Sequence, residues 1–305
     1  MQSIEIIIPV FNDTESLYIL LDRINKLESN CYSFSVTIID DFSYNPVSEQ
    51  LEIKNYTLIK NISIIRLAKN CGHQVAIATG LREVSKSKPN FIVVIDGDGE
   101  DNPNKIIKLL DRSVEENSII VASRGDRYES ILFKSFYFVY ILLFKTATGL
   151  KINFGNFSVV PAEILPSINA LNTTAIHYPA TLLKSQLNII KLKIDREKRY
   201  SGKSKMNLTS LINHGLRSFS IYNEQVISRL LILSSSLLIL IFASISCIIA
   251  LKIIGYATPG WASNVALSLL LLASQTFMMA FFSIIILPLL KESHTEVDFT
   301  KNKMK

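Results

Sequence analysis

The chain has 305 residues, 49% of them hydrophobic, and 32 Lys and Arg against 26 Asp and Glu give a formal net charge of +6. That length holds one large domain or two small ones, and the cysteines, Cys31, Cys71 and Cys247, have neither disulfide nor metal-ligand spacing, which excludes a disulfide-built scaffold and fits a reducing compartment. The basic surplus raises nucleic-acid binding, but no basic helix or aromatic–basic motif supports it, and the charge instead suits a domain resting on an anionic membrane leaflet.

From residue 1 to about 125 the pattern alternates strand and helix. Ile4–Val10 is an apolar run with one charge, after which Asn12 or Asp13 can cap a helix whose Leu17, Leu20, Leu21 and Ile24 share a face. Val36–Ile39 reads as a second strand closed by Asp40 and Asp41, and Ile62–Leu67 as a third, followed by a helical stretch from His73 to Val84. Phe91–Ile95, the helix Lys105–Val114 and the strand Ile119–Ala122 complete the series. Repeated strand–helix units predict an α/β fold, a mostly parallel sheet with helices on both faces. No Gly-x-Gly-x-x-Gly follows the first strand, which argues against a dinucleotide-binding oxidoreductase.

The fourth strand carries the strongest chemical signal, because it runs straight into four acidic residues, Asp96, Asp98, Glu100 and Asp101. Open α/β sheets bind ligands outside the carboxyl ends of their strands. Clustered carboxylates repel one another unless a cation lies between them, and oxygen-only ligation suits Mg²⁺ or Mn²⁺. A solvated acidic turn is the plain alternative for this stretch taken alone.

Further along, Ile131–Lys145 is very apolar but too short to cross a bilayer; Phe133, Phe136, Tyr137, Tyr140 and Phe144 fall at helical spacing, which fits either a core helix or one lying in the membrane interface. Leu208–Ile227, with His214, Arg217, Phe219 and Tyr222, favours the interface. Leu230–Leu251 and Val265–Leu290 contain no charged side chain, and each is long enough to span about 30 Å of hydrocarbon. Between them Tyr256 and Trp261 suit the headgroup region. Arg199, Lys203, Lys205, Arg217 and Arg229 precede the first span, Lys291, Lys301, Lys303 and Lys305 follow the second, and only Lys252 lies between. The positive-inside rule puts both termini in the cytoplasm. The N-terminus lacks a basic start followed by an apolar core, so no cleaved signal peptide is expected.

The motifs together resemble the family 2 glycosyltransferases of the GT-A (Rossmann-like) fold, and within them the polyprenyl-phosphate glycosyltransferases, which include bacterial undecaprenyl-phosphate sugar transferases and dolichyl-phosphate mannose synthase. IIIPVFND (Ile6–Asp13) looks like the family's opening strand, IIDDFS (Ile38–Ser43) its second-strand acidic pair, and RLAKNCGHQVAIATGL (Arg66–Leu81) its Asn-x-Gly helix. DGDGEDNP (Asp96–Pro103) resembles its Asp-x-Asp turn, RYSGKSK (Arg199–Lys205) its Arg-x-x-Gly-x-Ser-Lys, and PGWAS (Pro259–Ser263) the turn between two membrane helices.

The resemblance implies a transfer of sugar from a nucleotide-diphosphate donor to a polyprenyl phosphate in one inverting displacement. It assigns Asp96 and Asp98 to the metal (Mg²⁺ or Mn²⁺) and the diphosphate, with Glu100 as third ligand and Arg124 as a further catalytic group. Pro9, Phe11, Asp13, Asp40, Asp41, Asn70 and Gly72 fall to the donor nucleotide; Arg124, Arg127, Lys134, Arg199, Ser204 and Lys205 fall to the acceptor phosphate. The expected organisation is a cytoplasmic GT-A domain over 1–206, a juxtamembrane interfacial helix over 207–229, a two-helix anchor over 230–290 and a cytoplasmic tail over 291–305. Implied partners are the nucleotide sugar, the polyprenyl phosphate and the lipid bilayer of the cell membrane, with no nucleic acid and a homo-oligomer left open. Asp40 and Asp41 are compatible with UDP-sugars and GDP-mannose alike. Gly99-Glu100 replaces the family's Leu-Gln, and Ala175–Gln186 lacks the Arg-Gly-Leu pattern of many relatives. His177 is the nearest candidate base, although a lone His is more often structural. A glycan acceptor and a non-catalytic membrane scaffold are the competing readings.

Overall fold

Strands that are apolar on both faces stay folded only when both faces are covered, and the chain meets that need with helices placed between successive strands. The computed structural model describes residues 1–51, 56–124, 131–201, 208–256, 260–292 and 300–304. They fall into two units, Met1–Lys145 with Leu150–Ile221 and Glu296–Lys305, and Thr146–Gly149 with Tyr222–Thr295.

The first unit is built on β1 (Gln2–Val10), β2 (Tyr32–Asp40), β3 (Ile59–Leu67), β4 (Phe91–Val94), β5 (Ile119–Arg124), β6 (Phe154–Pro161), β7 (Ile189–Ile194) and β8 (Thr300–Met304), in the order β7-β5-β6-β4-β1-β2-β3-β8. β1 runs parallel to β2 and β4, β2 to β3, and β5 to β7, while β6 is antiparallel to β4 and β5, and β8 to β3. The five strands expected from the apolar runs all form. β6 and β7 come from a stretch whose pattern marks no strand: FGNFSVVP carries Gly, Asn and Pro, and IIKLKI exposes lysine at the sheet margin.

One face of the sheet is covered by α1 (Thr14–Asn25) and α4 (Ile106–Glu116), the other by α3 (His73–Val84), α6 (Leu165–Asn169) and α7 (Tyr178–Lys184). Leu17, Leu20, Leu21 and Ile24 of α1 are fully buried, each contributing about 1.5–3 kcal/mol by leaving water. Asp13 caps α1 by accepting from Ser16 N at 3.3 Å. Asn12, the other candidate cap, is instead left-handed (φ 51). α3 lies so close to the sheet that a Cβ on Gly80 would meet Ile7 Cγ2 at 2.5 Å, which is why glycine stands there. Asn117 ends α4 in the left-handed conformation typical of a helix stop.

α5 (Ile131–Thr148) and α8 (Leu208–Ser220) meet through Tyr140, whose hydroxyl lies 2.8 Å from Ser218 Oγ, and through Phe144 and Phe219, with ring centroids 5.4 Å apart. Val139, Leu142 and Leu143 of α5 and Leu216 of α8 remain exposed. The helix expected over 208–227 is broken: α8 stops at Ser220, Ile221 and Tyr222 turn inward and are buried, and Lys184 Nζ takes up the Ile221 carbonyl at 2.8 Å.

The second unit is a pair of helices, α9 (Asn223–Ile253) and α10 (Trp261–Glu292), both long and apolar enough to cross a membrane. Ser234, Ile241 and Ile248 of α9 are buried at seven-residue intervals, a seam of the kind two packed helices present to each other. Most of the remaining apolar side chains face outward, Ile239, Phe242, Leu267 and Phe277 among them. A water-soluble helix pair would not leave them so.

Candidate functional site

The chain builds outward from β1 through β2 to β3 and then returns to the other side of β1 with β4. The strand order reverses between β1 and β4, and a crevice forms at the carboxyl ends of strands at such a reversal. The segments after β1, β2 and β4 and the start of α3 all end there. Pro9 is buried within β1 opposite Ile39, Phe11 is partly exposed just beyond the strand, and Asn70 is exposed shortly before α3.

Asp40 and Asp41 are almost wholly buried, yet every oxygen has a main-chain partner. Asp40 accepts from Ser43 N at 2.8 Å and Val47 N at 3.2 Å, where α2 (Val47–Gln50) begins. Asp41 accepts from Cys71 N at 2.7 Å and Gly72 N at 2.9 Å. Burial raises the Asp41 carboxyl, and those two amides pull it back. Asn12 and Phe42 both sit at positive φ (51 and 63), a strained state for a bulky residue that persists only where neighbours enforce it. Here they do: Asn12 N donates to Ser43 Oγ, Tyr44 N to Asn12 Oδ1, and Arg66 to the Ser43 carbonyl. The Arg66 guanidinium also lies 5.0 Å from the Phe42 ring centroid. Phe11, Phe42 and Tyr44 thus form an exposed aromatic rim over a rigid turn. Phe42, Tyr44 and Arg66 were not singled out in the sequence, where nothing ties an aromatic after the acidic pair to an arginine a strand away.

The turn after β4 is held differently. Arg199 bridges Asp98 (Nη2 to Oδ2, 2.7 Å) and Glu100 (Nε to Oε1, 2.7 Å). Arg196 pairs with Glu100 and reaches Asp101 Oδ1 at 3.8 Å. Their segment lies along the turn through Glu197 N to Glu100 O at 2.9 Å and Tyr200 N to Asp98 O at 3.1 Å. The Tyr200 ring covers Gly99, whose φ of +84 and lack of a Cβ permit that approach. Arg23 pins the strap from α1 by an ion pair with Glu197 and a 2.9 Å bond to Tyr200 Oη. Glu100, expected to complete a metal triple with Asp96 and Asp98, is therefore taken up by two guanidinium groups. Arg199, expected at the acceptor phosphate, stands on the carboxylates themselves.

Asp96 has other partners. His73 Nε2 lies 3.0 Å from Asp96 Oδ1, and Asn156 Nδ2 lies 3.1 Å from the same oxygen. Burial alone would raise the Asp96 carboxyl, but His73, Arg196 and Asn156 outweigh it and hold it at about 2. His73 is raised in turn, its partial desolvation opposed by Asp96, Asp98 and Asp41. Asp98 is raised by burial and by the charge of Asp96, and Asp101, whose Oδ2 is buried without a hydrogen-bond partner among the described residues, is pushed up to about 7 by the same two causes. His73 and Gln74 fall within the Arg66–Leu81 motif, but nothing in the sequence ties them or Asn156 to the acidic turn, from which α3 and β6 are far in the chain.

The remaining expected residues divide simply. Arg127, Ser204 and Lys205, and the side chains of Arg124 and Lys134, lie outside the described residues. His177 is buried and accepts from Ala180 N at 3.2 Å through Nδ1, capping α7, a structural role.

Among the described residues no three His, Cys, Asp or Glu side chains converge on one point as a finished metal site. The donor chemistry nonetheless fits a hard divalent cation. Asp96 and Asp98 are oxygen donors in a half-buried turn, and the repulsion that, after burial, raises Asp98 is what a cation between them would relieve.

Residues 5–162 match the family model described as glycosyl transferase family 2. An uncharacterized glycosyltransferase of Synechocystis sp. is 26% identical over 269 residues, which covers 85% of this chain and 82% of that protein. The undecaprenyl-phosphate 4-deoxy-4-formamido-L-arabinose transferase of Yersinia pestis is 24% identical over 271 residues, 87% of this chain and 80% of the relative. Among solved structures, glucosyl-3-phosphoglycerate synthase from Mycobacterium tuberculosis, in complex with Mn²⁺, UDP and glucosyl-3-phosphoglycerate, aligns with a TM-score of 0.51 at 11% identity, over 74% of this chain and 80% of that one. The last is a likeness of fold.

Proposed function

The chain belongs to glycosyl transferase family 2, and on that premise we propose that it transfers a sugar from a nucleotide-diphosphate donor to a polyprenyl phosphate, undecaprenyl phosphate in a bacterial membrane. The observation that carries the reading is the pairing, in one chain, of a carboxylate turn at the β1/β4 crevice with two span-length apolar helices. A membrane anchor keeps a transferase that acts on a lipid beside its substrate. The relative named as an undecaprenyl-phosphate transferase aligns over 271 residues, 87% of this chain, which supports the same reading.

The rigid aromatic rim of Phe11, Phe42 and Tyr44 offers ring faces to a nucleobase, with Asp41 and Gly72 beside it. Asp96 and Asp98 would hold Mg²⁺ or Mn²⁺, which acts as a Lewis acid toward the charge that builds on a leaving diphosphate. Arg199, a planar fork of donors, suits a phosphate dianion. A phosphate monoester with second pKa near 6 is mostly dianionic at pH 7, so the acceptor needs alignment with the sugar's anomeric carbon more than deprotonation. That agrees with His177 being spent on a helix cap. The Lys and Arg asymmetry around the spans supports a cytoplasmic catalytic domain, and the exposed Val139, Leu142, Leu143 and Leu216 would rest in the interface.

Purified full-length protein incubated with a panel of UDP- and GDP-sugars and undecaprenyl phosphate should yield a chloroform-extractable lipid-linked sugar with one donor. EDTA should stop the reaction and Mg²⁺ or Mn²⁺ restore it. Transfer only to water-soluble glycans, or full turnover in excess chelator, would overturn the lipid acceptor or the metal respectively.

A further inference from the structure

We propose that Asn156, oriented by Gln74, is a positioning residue that sets the rotamer of Asp96 and leaves Asp96 Oδ2 open toward the cation and diphosphate. This rests on the assignment of Asp96 to the metal made above. Asp96 Oδ1 is engaged twice, by His73 Nε2 at 3.0 Å and Asn156 Nδ2 at 3.1 Å, whereas among the described residues Oδ2 has only the long 3.4 Å approach of the same Nδ2. One carboxylate oxygen is thereby tied to the protein and the other is the less engaged of the two.

What makes this a device is its polarity. A side-chain amide can present its NH₂ or its carbonyl to a neighbour, and only the NH₂ suits a carboxylate. The choice is made at the far end of a chain of contacts. Tyr178 N, in the first turn of α7, can only donate, and Gln74 Oε1 accepts from it at 2.5 Å. That turns Gln74 Nε2 toward Asn156 Oδ1, to which it donates at 3.3 Å. Asn156 must then aim its own Nδ2 at Asp96. Gln74 and Tyr178 are buried, so no bulk water competes to satisfy a flipped amide. The orphan N–H of a short helix thus dictates which atom faces a catalytic carboxylate through two amides drawn from α3 and β6.

The test measures Mn²⁺ binding to purified full-length protein in detergent, from the electron paramagnetic resonance signal of free Mn²⁺, with melting temperature recorded alongside. Asn156→Ala should weaken Mn²⁺ about 10- to 100-fold, the range for removing a group that orients a metal ligand, with little change in melting temperature. Gln74→Glu keeps the acceptor facing Tyr178 and removes the donor facing Asn156. It should weaken Mn²⁺ in the native background and have no further effect beside Asn156→Ala, the non-additivity of two links in one path. Asp96→Asn is the control. If it abolishes Mn²⁺ binding while Asn156→Ala and Gln74→Glu stay within about twofold of the native protein, the positioning role is overturned and the metal assignment stands. Additive losses for the two variants, or losses that only track melting temperature, also overturn it. If Asp96→Asn binds Mn²⁺ normally, the metal assignment itself is wrong and the positioning role goes with it.

Discussion

Two acidic turns flank β1, one after β2 with buried carboxylates and one after β4 with half-buried ones, and they neutralise them by opposite means. Asp40 and Asp41 are held by four main-chain amides. Asp96, Asp98 and Glu100 are held chiefly by His73, Asn156, Arg196 and Arg199, all side chains. A main-chain amide cannot leave without unfolding the turn, so the first pair is part of the architecture and fixes the strained Asn12–Tyr44 rim. A guanidinium can rotate away, so the second cluster can exchange its partners for a cation and phosphates. Equal residue types therefore carry different duties, and the partner's mobility decides which.

Asp98→Asn tests that contrast most severely. It should lower transfer by about 10³-fold or more, since a metal-held diphosphate loses several kcal/mol of stabilisation, while circular dichroism and melting temperature stay native. A comparable loss of fold would make the two turns alike. Arg199→Ala should come next. An acceptor phosphate left poorly paired costs on the order of 2–4 kcal/mol, roughly 30- to 1000-fold in acceptor kcat/KM, with nucleotide affinity changed only a few-fold. Collapse of nucleotide binding with acceptor dependence intact would move Arg199 to the donor side, where its contact with Asp98 already leads. Asp40→Ala should do the reverse of Asp98→Asn. Two buried N–H groups lose their acceptor, at about 2–3 kcal/mol of stability, visible as a lower melting temperature even without substrates.

The smallest effect lies inside β1, away from both turns. Glu5 is buried, and Thr37 donates to it at 2.6 Å. Burial raises its carboxyl above the ordinary 4.5, only partly offset by the Thr37 hydroxyl. The native state therefore holds this proton more tightly than the unfolded chain, and loses stability as pH rises from 4.5 through the folded-state value. Glu5→Gln should raise the melting temperature at pH 7–8 by about 2–4 °C, the equivalent of about 1 kcal/mol in a domain of this size, and the gain should vanish below pH 4.5. A gain that is independent of pH would point to packing instead of charge.

The sequence by itself determined the sheet's first five strands, α1 with its buried face, the acidic turn after β4 and the two membrane-length helices. Each of these is written in a local pattern: continuous apolar runs for Ile4–Val10 and Phe91–Ile95, a 3.6-residue period for Leu17 to Ile24, and uncharged stretches longer than a bilayer is thick. Only the tertiary structure decided that β6 would run antiparallel between β4 and β5, that the strap at 195–201 would lay Arg196 and Arg199 on Asp98 and Glu100, and that Asn156 would reach Asp96 across 60 residues of chain. It also decided that Glu100 would face arginine, a pairing no local pattern contains. Those pairings depend on the register of segments far apart in sequence, and the energy that selects them comes from burying both faces of the whole sheet at once, which no window of neighbouring residues contains.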